Sequence, residues 1–277
     1  MKIRSLILAL CIPLSFSGCF QIDKNVQVKP DGSGTITETV TMGTAMIAQM
    51  KAMASGFGDA AGGAGAKVKG FELLDEAKLK DEASKMGEGV TFVSAKKITA
   101  PDREGYTVTY AFTDIGKVKL STNPPDIGGS GNLKMTGKGD TEPVTFTFTK
   151  GKTAELTVNT PAMKPAAPKS KDEAAADAQE AAMSEAMLPM MQQMFKDMRM
   201  SMSVEVVGKI TATNAANKEG SRVTMLDVDF NKILADPAKM KAMAKIKDPN
   251  SAEAKAFLKT IPGMKVETAN PVKINFQ

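Results

Sequence analysis

Much of the chain alternates apolar and polar residues with a period of two, which is the pattern of β-strands that bury one face. The first alternating run stops at a turn over 30–34 and resumes with threonine at every second position from 35 to 41. This pattern predicts a β-hairpin, and Asp31 and Gly32 are assigned to its turn because the acidic ligands of a calcium loop are missing. Further alternating runs predict strands at 90–98, 106–112, 144–149, 152–159, 204–210, 224–230 and 272–276. In the last three runs we expect shared faces for Val204, Val206 and Ile210, for Thr224, Leu226, Val228 and Phe230, and for Val272, Ile274 and Phe276.

Other segments change to the helical period of 3.6 residues. Helices are predicted over 42–55, 73–86, 172–200, 232–245 and 251–260, and the first of them aligns Met42, Met46, Met50 and Met53. Pro189 is expected to kink the third helix or to begin a new one. Hairpins with one threonine-rich face together with amphipathic helices predict an α+β fold, in which antiparallel sheet built from hairpins carries the helices on one face.

Composition divides the chain into regions. We expect a leader over 1–18, an N-terminal α+β region over 19–160 with a mobile glycine-rich loop at 56–70, a proline-rich connector over 161–171, and a methionine-rich helix followed by a C-terminal α+β region over 172–277. Segments 97–109 and 209–224 have similar sequences, and each is predicted to form a strand, a turn and a second strand. This similarity indicates either that the chain has two related halves, or only that strands in general are built from few residue types.

The leader has the features of a signal peptide. Lys2 and Arg4 precede an apolar run at 6–14, which is about half of the roughly 20 residues that a membrane-spanning helix needs. The residues at 16–19, FSGC, resemble the bacterial lipoprotein box. The resemblance implies cleavage before Cys19, a diacylglycerol on its thiol and membrane attachment through that lipid. Phe20 in the next position implies the outer membrane, facing the periplasm, if the host has two membranes. The alternative is an ordinary secretory leader that contains a cysteine.

Composition excludes several kinds of chemistry. The chain has no His and two Cys, of which one leaves with the leader and the other is the predicted lipid carrier. A Ser-His-Asp triad, a thiolate nucleophile and the usual zinc or haem ligands are therefore not available, and we expect a non-enzymatic protein without a cofactor. Carboxylates remain as the option for catalysis, for instance the pair Asp227 and Asp229 or the set Glu72, Asp75 and Glu76. The net charge is +5, and the lysines are scattered among acidic residues without forming a basic stripe, so no nucleic-acid partner is expected.

Methionine is the unusual residue of this chain, and eight methionines fall between 183 and 202. Six of them share one helical face and form an apolar stripe with Leu188 and Phe195, namely Met183, Met187, Met190, Met191, Met194 and Met198. Three interpretations of this stripe compete. The stripe can be core, since Met fills irregular gaps, or it can be an adaptable groove for an acyl chain or a partner segment. The third interpretation is a Cu(I) site, because thioethers select soft ions. The candidate groove comprises Met46, Met50, Met187, Met190, Met191, Met194 and Phe195, and the copper ligands would be Met187, Met190, Met191 and Met194.

The order of these features, from FSGC through the hairpin at 31–34 to the strand residues at 206–210 and 213–215, resembles uncharacterised bacterial envelope lipoproteins. It is loosely similar to the LppM-like group. The resemblance implies a lipid-anchored envelope domain able to bind lipids, and it assigns no binding residue. The predicted function is therefore non-enzymatic: the protein binds an apolar ligand such as a lipid, binds a protein partner, or acts as a scaffold. The alternative is Cu(I) binding.

Overall fold

The structure is a computed structural model that describes residues 20–48, 50–51, 72–122, 142–161, 195–244, 246, 248 and 250–277. The strands are β1 (Phe20–Val28), β2 (Gly34–Gly43), β3 (Val90–Thr99), β4 (Arg103–Phe112), β5 (Lys119–Leu120), β6 (Val144–Thr149), β7 (Ala154–Asn159), β8 (Arg199–Val206), β9 (Ile210–Thr213), β10 (Lys218–Glu219), β11 (Arg222–Asp229), β12 (Met264–Val266) and β13 (Val272–Phe276). The helices are α1 (44–48, with 50–51 also helical), α2 (Glu76–Lys85), α3 (Phe230–Leu234), α4 (Pro237–Ala244) and α5 (Ala252–Leu258), with a 3₁₀ turn at Ile115–Lys117.

The larger sheet, sheet A, has eight strands in the order β10-β11-β8-β1-β2-β4-β3, with β12 paired to β11. Its neighbours are antiparallel except β1 and β8, which run parallel. The start of β1 at Phe20 lies beside the end of β2, the start of β8 and the end of β11, and we call this side the Phe20 end. The opposite side, where the first hairpin turns at Gly32, is the Gly32 end.

The smaller sheet, sheet B, has five strands in the order β5-β6-β7-β13-β9. It adjoins the Gly32 end of sheet A, where the Ile115 amide donates to the Gly32 carbonyl (2.9 Å) and the Val207 amide donates to the Val28 carbonyl (2.8 Å). Buried side chains from both sheets form one apolar cluster. A smaller cluster around Val228, Ile233 and Ile261 packs the C-terminal helices.

The fold is α+β, as predicted, with much more strand than helix. The predicted hairpins at the N-terminus, at 90–112 and at 144–159 are confirmed. Val272, Ile274 and Phe276 are completely buried on one face of β13, as their alternation predicts. The parallel pairing of β1 with β8 makes sheet A mixed and not wholly antiparallel. That the helices share one face of the sheet stays a prediction.

Four predicted elements differ from the structure. The described end of the helix predicted over 172–200 is not helical, because 195–198 contain a turn and Arg199 and Met200 belong to β8. Val206 and Ile210 lie on different strands in different sheets, because the chain turns at Gly208, whose φ is 128°. Thr224 does not share a face with Leu226, since a bulge between them shifts the register of β11 by one residue. Met42 is the ninth residue of β2 and not part of the helix that follows.

The predicted regions on either side of the proline-rich connector share both sheets. Strand β1 pairs with β8 in sheet A, and β7 pairs with β13 in sheet B. The two segments with similar sequence also differ in structure. The first forms the β3–β4 hairpin, whereas the second is divided between β9 in sheet B and β11 in sheet A.

Candidate functional site

The structure describes three of the seven predicted groove residues. Met46, Met50 and Phe195 are half-buried and pack against the main apolar cluster. The other four, Met187, Met190, Met191 and Met194, lie outside the described residues, as does the predicted lipid carrier Cys19. Cu(I) binding by those four methionines therefore stays a prediction.

Half-buried Met and Phe side chains gather toward the Phe20 end of sheet A. Phe195 precedes β8 and stacks on Phe230, which follows β11, with ring centroids 5.5 Å apart and planes inclined by 17°. Met200 and Met202 are partly exposed on the core face of β8. Together these side chains form what we call the apolar end surface, which consists of Met46, Met50, Phe195, Met200, Met202 and Phe230.

Strand register places these side chains at the same end of sheet A. Arg199 at the start of β8 lies opposite both Gln21 near the start of β1 and Asp229 at the end of β11. The Phe230 amide then donates to the Met198 carbonyl (3.1 Å), which fixes α3 beside the segment that carries Phe195. Residues far apart in the sequence thus share one end of one sheet.

A buried ion pair lies next to this surface. Lys24 and Glu38 are directly opposite each other on β1 and β2, and the Lys24 Nζ is 2.8 Å from the Glu38 Oε2. Only 12% of the Lys24 side chain and 4% of the Glu38 side chain are exposed. On its other side Lys24 lies opposite Met202 of the apolar end surface. A charged pair thus interrupts the apolar core face of sheet A, where burying charges is unfavourable unless they are paired.

Both tyrosines of the chain, Tyr106 and Tyr110, lie on β4 near this pair. They are opposite Val40 and Ile36, which flank Glu38 on β2. Burial raises the pKa of both hydroxyls well above the usual value of 10, and the negative charges of Glu38 and Glu82 raise it further. Both hydroxyl groups are therefore neutral at physiological pH.

Asp75, Asp227 and Asp229, three of the five carboxylates considered for catalysis, have structural partners within the described residues. Asp227 accepts two hydrogen bonds from Arg199, at 2.9 and 3.0 Å, and Asp229 pairs with Lys232 at 3.4 Å. Asp75 caps α2 by accepting from the backbone amides of Ala77 and Lys78. Within the described ranges, no group of three or more Asp, Glu, His or Cys side chains could hold a metal ion. The same part of the chain contains no helix whose length and hydropathy would allow it to cross a bilayer.

The ion pair was not predicted from the sequence, although a signal for it exists. Lys24 stands between Ile22 and Val26, and Glu38 stands between Ile36 and Val40, at positions whose parity in each strand is that of the buried residues. A charge at a buried parity indicates a partner on the neighbouring strand, because an unpaired charge would be very costly there.

Comparison with known proteins identifies no family. No protein-family model matches the chain, and no curated protein matches it. Among solved structures it is similar to the folded domain of the LppM protein of Mycobacterium tuberculosis, with 8% sequence identity over 94% of this chain and 90% of that chain. The TM-score of 0.29 is too low for this similarity to support an argument about fold or function.

Proposed function

We propose that this protein is a lipid-anchored bacterial envelope protein that acts by binding and not by catalysis. In this proposal the apolar end surface binds an apolar ligand, such as the acyl chain of a lipid, or an apolar segment of a partner protein. The supporting observation is the gathering of half-buried Met and Phe side chains at one end of sheet A. Thioether side chains are flexible and polarizable, so a surface of Met and Phe adapts to acyl chains or peptide side chains of different shapes.

The envelope location is part of the same proposal and rests on the sequence. The leader at 1–18 would direct export, and Cys19 would carry the diacylglycerol that holds the domain to the membrane. Two or more acyl chains give stable attachment, since each buried CH₂ contributes about 0.8 kcal/mol. With Phe20 after the cysteine, sorting would be to the outer membrane of a host that has two membranes.

Native mass spectrometry of the purified chain tests the binding proposal. The wild-type protein is expected to carry a noncovalent lipid or peptide adduct. In the double variant Met46→Gln/Met50→Gln, the occupancy of that adduct should fall about fivefold or more, because about 1 kcal/mol of apolar contact is lost. Gln resembles Met in length and helix propensity, so the α1 segment is expected to keep its helical conformation.

Met243→Gln is the matched control. Met243 is also a half-buried methionine on a helix, but it packs with the smaller cluster around Val228, to which Phe230 is the one contributor from the apolar end surface among the described residues. Its replacement should leave adduct occupancy unchanged. A wild-type protein without any adduct, or a double variant with undiminished occupancy, would contradict the proposed binding surface.

A further inference from the structure

Strand β1 begins immediately after the predicted lipid carrier. Phe20 is the first residue of β1 and follows Cys19 in the sequence, so consecutive Cα atoms are about 3.8 Å apart. Phe20 is 3% exposed, lies opposite Met42 and belongs to the main apolar cluster. No spacer therefore separates the predicted site of acylation from the folded core.

We infer that the Phe20 end of sheet A is the face of the domain that rests on the lipid bilayer, and that the lipids of this bilayer are the apolar ligand of the apolar end surface, so that the bilayer interface covers Met46, Phe195 and Phe230. This inference rests on the lipid attachment at Cys19 that is part of the proposed function. An anchor joined to a buried residue at the start of a central strand holds that end of the sheet at the depth of the lipid headgroups.

The side chains at this end support the inference independently of the anchor. Chain segments that carry apolar residues converge there: α1 begins where the Thr44 amide donates to the Asp102 carbonyl (3.0 Å), and α3 begins beside the segment that precedes β8. The half-buried rings of Phe195 and Phe230 and the side chain of Met46 are the kind of surface that sits in the boundary between headgroups and acyl chains.

This orientation places sheet B away from the membrane. The nine residues of β1 span about 30 Å between the Phe20 end and the Gly32 end, at about 3.3 Å per residue. Phe148 of sheet B lies at the Gly32 end, where its ring would be 2.8 Å from a Cβ atom added to Gly32. Phe148 is thus a reference position far from the predicted anchor.

Single-tryptophan variants test the orientation, since the chain has no Trp. The acylated full chain carrying Phe230→Trp or Phe148→Trp is reconstituted into phosphatidylcholine vesicles with ordinary or brominated acyl chains. Bromine quenches tryptophan only at close range, so the Phe230→Trp fluorescence should be quenched at least twofold more than that of Phe148→Trp. Phe195→Trp provides a second reporter at the same end should Phe230→Trp fail to fold. Equal quenching at the two ends, or stronger quenching of Phe148→Trp, would overturn the inference.

A spacer variant separates anchoring from orientation. A twelve-residue Gly/Ser insertion between Cys19 and Phe20 has a root-mean-square length of about 20 Å, so it releases the domain from the headgroups while the lipid stays in place. Vesicle flotation should be unchanged, and quenching of Phe230→Trp should fall at least twofold; unchanged quenching would show that the direct connection does not set the orientation. Wild-type chain that fails to float with vesicles would contradict the lipid attachment itself, whereas flotation with equal quenching at both ends would overturn only the orientation.

Discussion

Glu38→Leu is expected to lower the free energy of unfolding by about 3–5 kcal/mol, because it leaves the Lys24 ammonium group unpaired inside an apolar core. The two charges are 2.8 Å apart. At an effective dielectric constant of about 20, their attraction is about 6 kcal/mol. Transferring each ion out of water costs several kcal/mol, so the intact pair is close to balanced and the loss of one partner leaves the other penalty uncompensated.

The double variant Lys24→Met/Glu38→Leu should therefore have a free energy of unfolding within about 1 kcal/mol of the wild-type value, since it removes both desolvation penalties and makes this face of the sheet apolar. Urea unfolding followed by circular dichroism measures both variants. Glu88→Gln is the matched control, because Glu88 pairs with Lys117 at a similar distance of 2.9 Å while the two side chains are 81% and 47% exposed. Its effect should stay below about 1 kcal/mol.

Two results would refute this reasoning about the buried pair. One is a loss of less than about 1 kcal/mol in Glu38→Leu, which would mean that water or another group reaches the Lys24 ammonium. The other is a double variant as unstable as the single one, which would mean that the pair contributes specific stability that apolar side chains cannot replace.

The remaining predictions concern pH, a buried carboxylate and a glycine. The pKa values of the two tyrosines are higher in the folded state than the unfolded value of about 10, so their contribution to stability is complete below pH 10. Above pH 10 the free energy of unfolding should fall by about 1.4 kcal/mol per pH unit for each tyrosine. Urea unfolding between pH 9 and about 12 measures this fall. Glu267 is buried and accepts four hydrogen bonds from backbone amides, so Glu267→Gln should lower the free energy of unfolding by about 2–4 kcal/mol. The control Glu219→Gln, at an exposed position, should change it by less than about 0.5 kcal/mol. A loss below about 1 kcal/mol at Glu267 would contradict a stabilising role of these hydrogen bonds. Gly208→Ala should lower the thermal midpoint far more than Gly220→Ala, because both have positive φ but only at Gly208 would the new Cβ lie 2.3 Å from the Gln277 carbonyl oxygen. Equal midpoints would argue against that close approach.

Part of the candidate site could be predicted from the sequence. Helical spacing identified Met46 and Met50 as residues of one apolar face, and both are half-buried against the core. Phe195 was assigned to a different stripe, that of the methionines at 183–198, and its stacking partner Phe230 was expected on a strand and instead begins α3. Helical spacing identifies the side chains that share one face of an element. It does not identify the residues that pack against this face, because those come from parts of the chain that are distant in sequence.

Alternation by itself determined most strands and the buried residues within them, because the period-two pattern follows from the geometry of each strand alone. It also placed the first turn at Asp31 and Gly32. Only the tertiary structure decided that β1 pairs in parallel with β8, and thereby that Lys24 lies between Glu38 and Met202. The physical reason is that strand pairing is selected by long-range packing of whole faces, including bulges and turns that shift the register, and no local pattern carries that information.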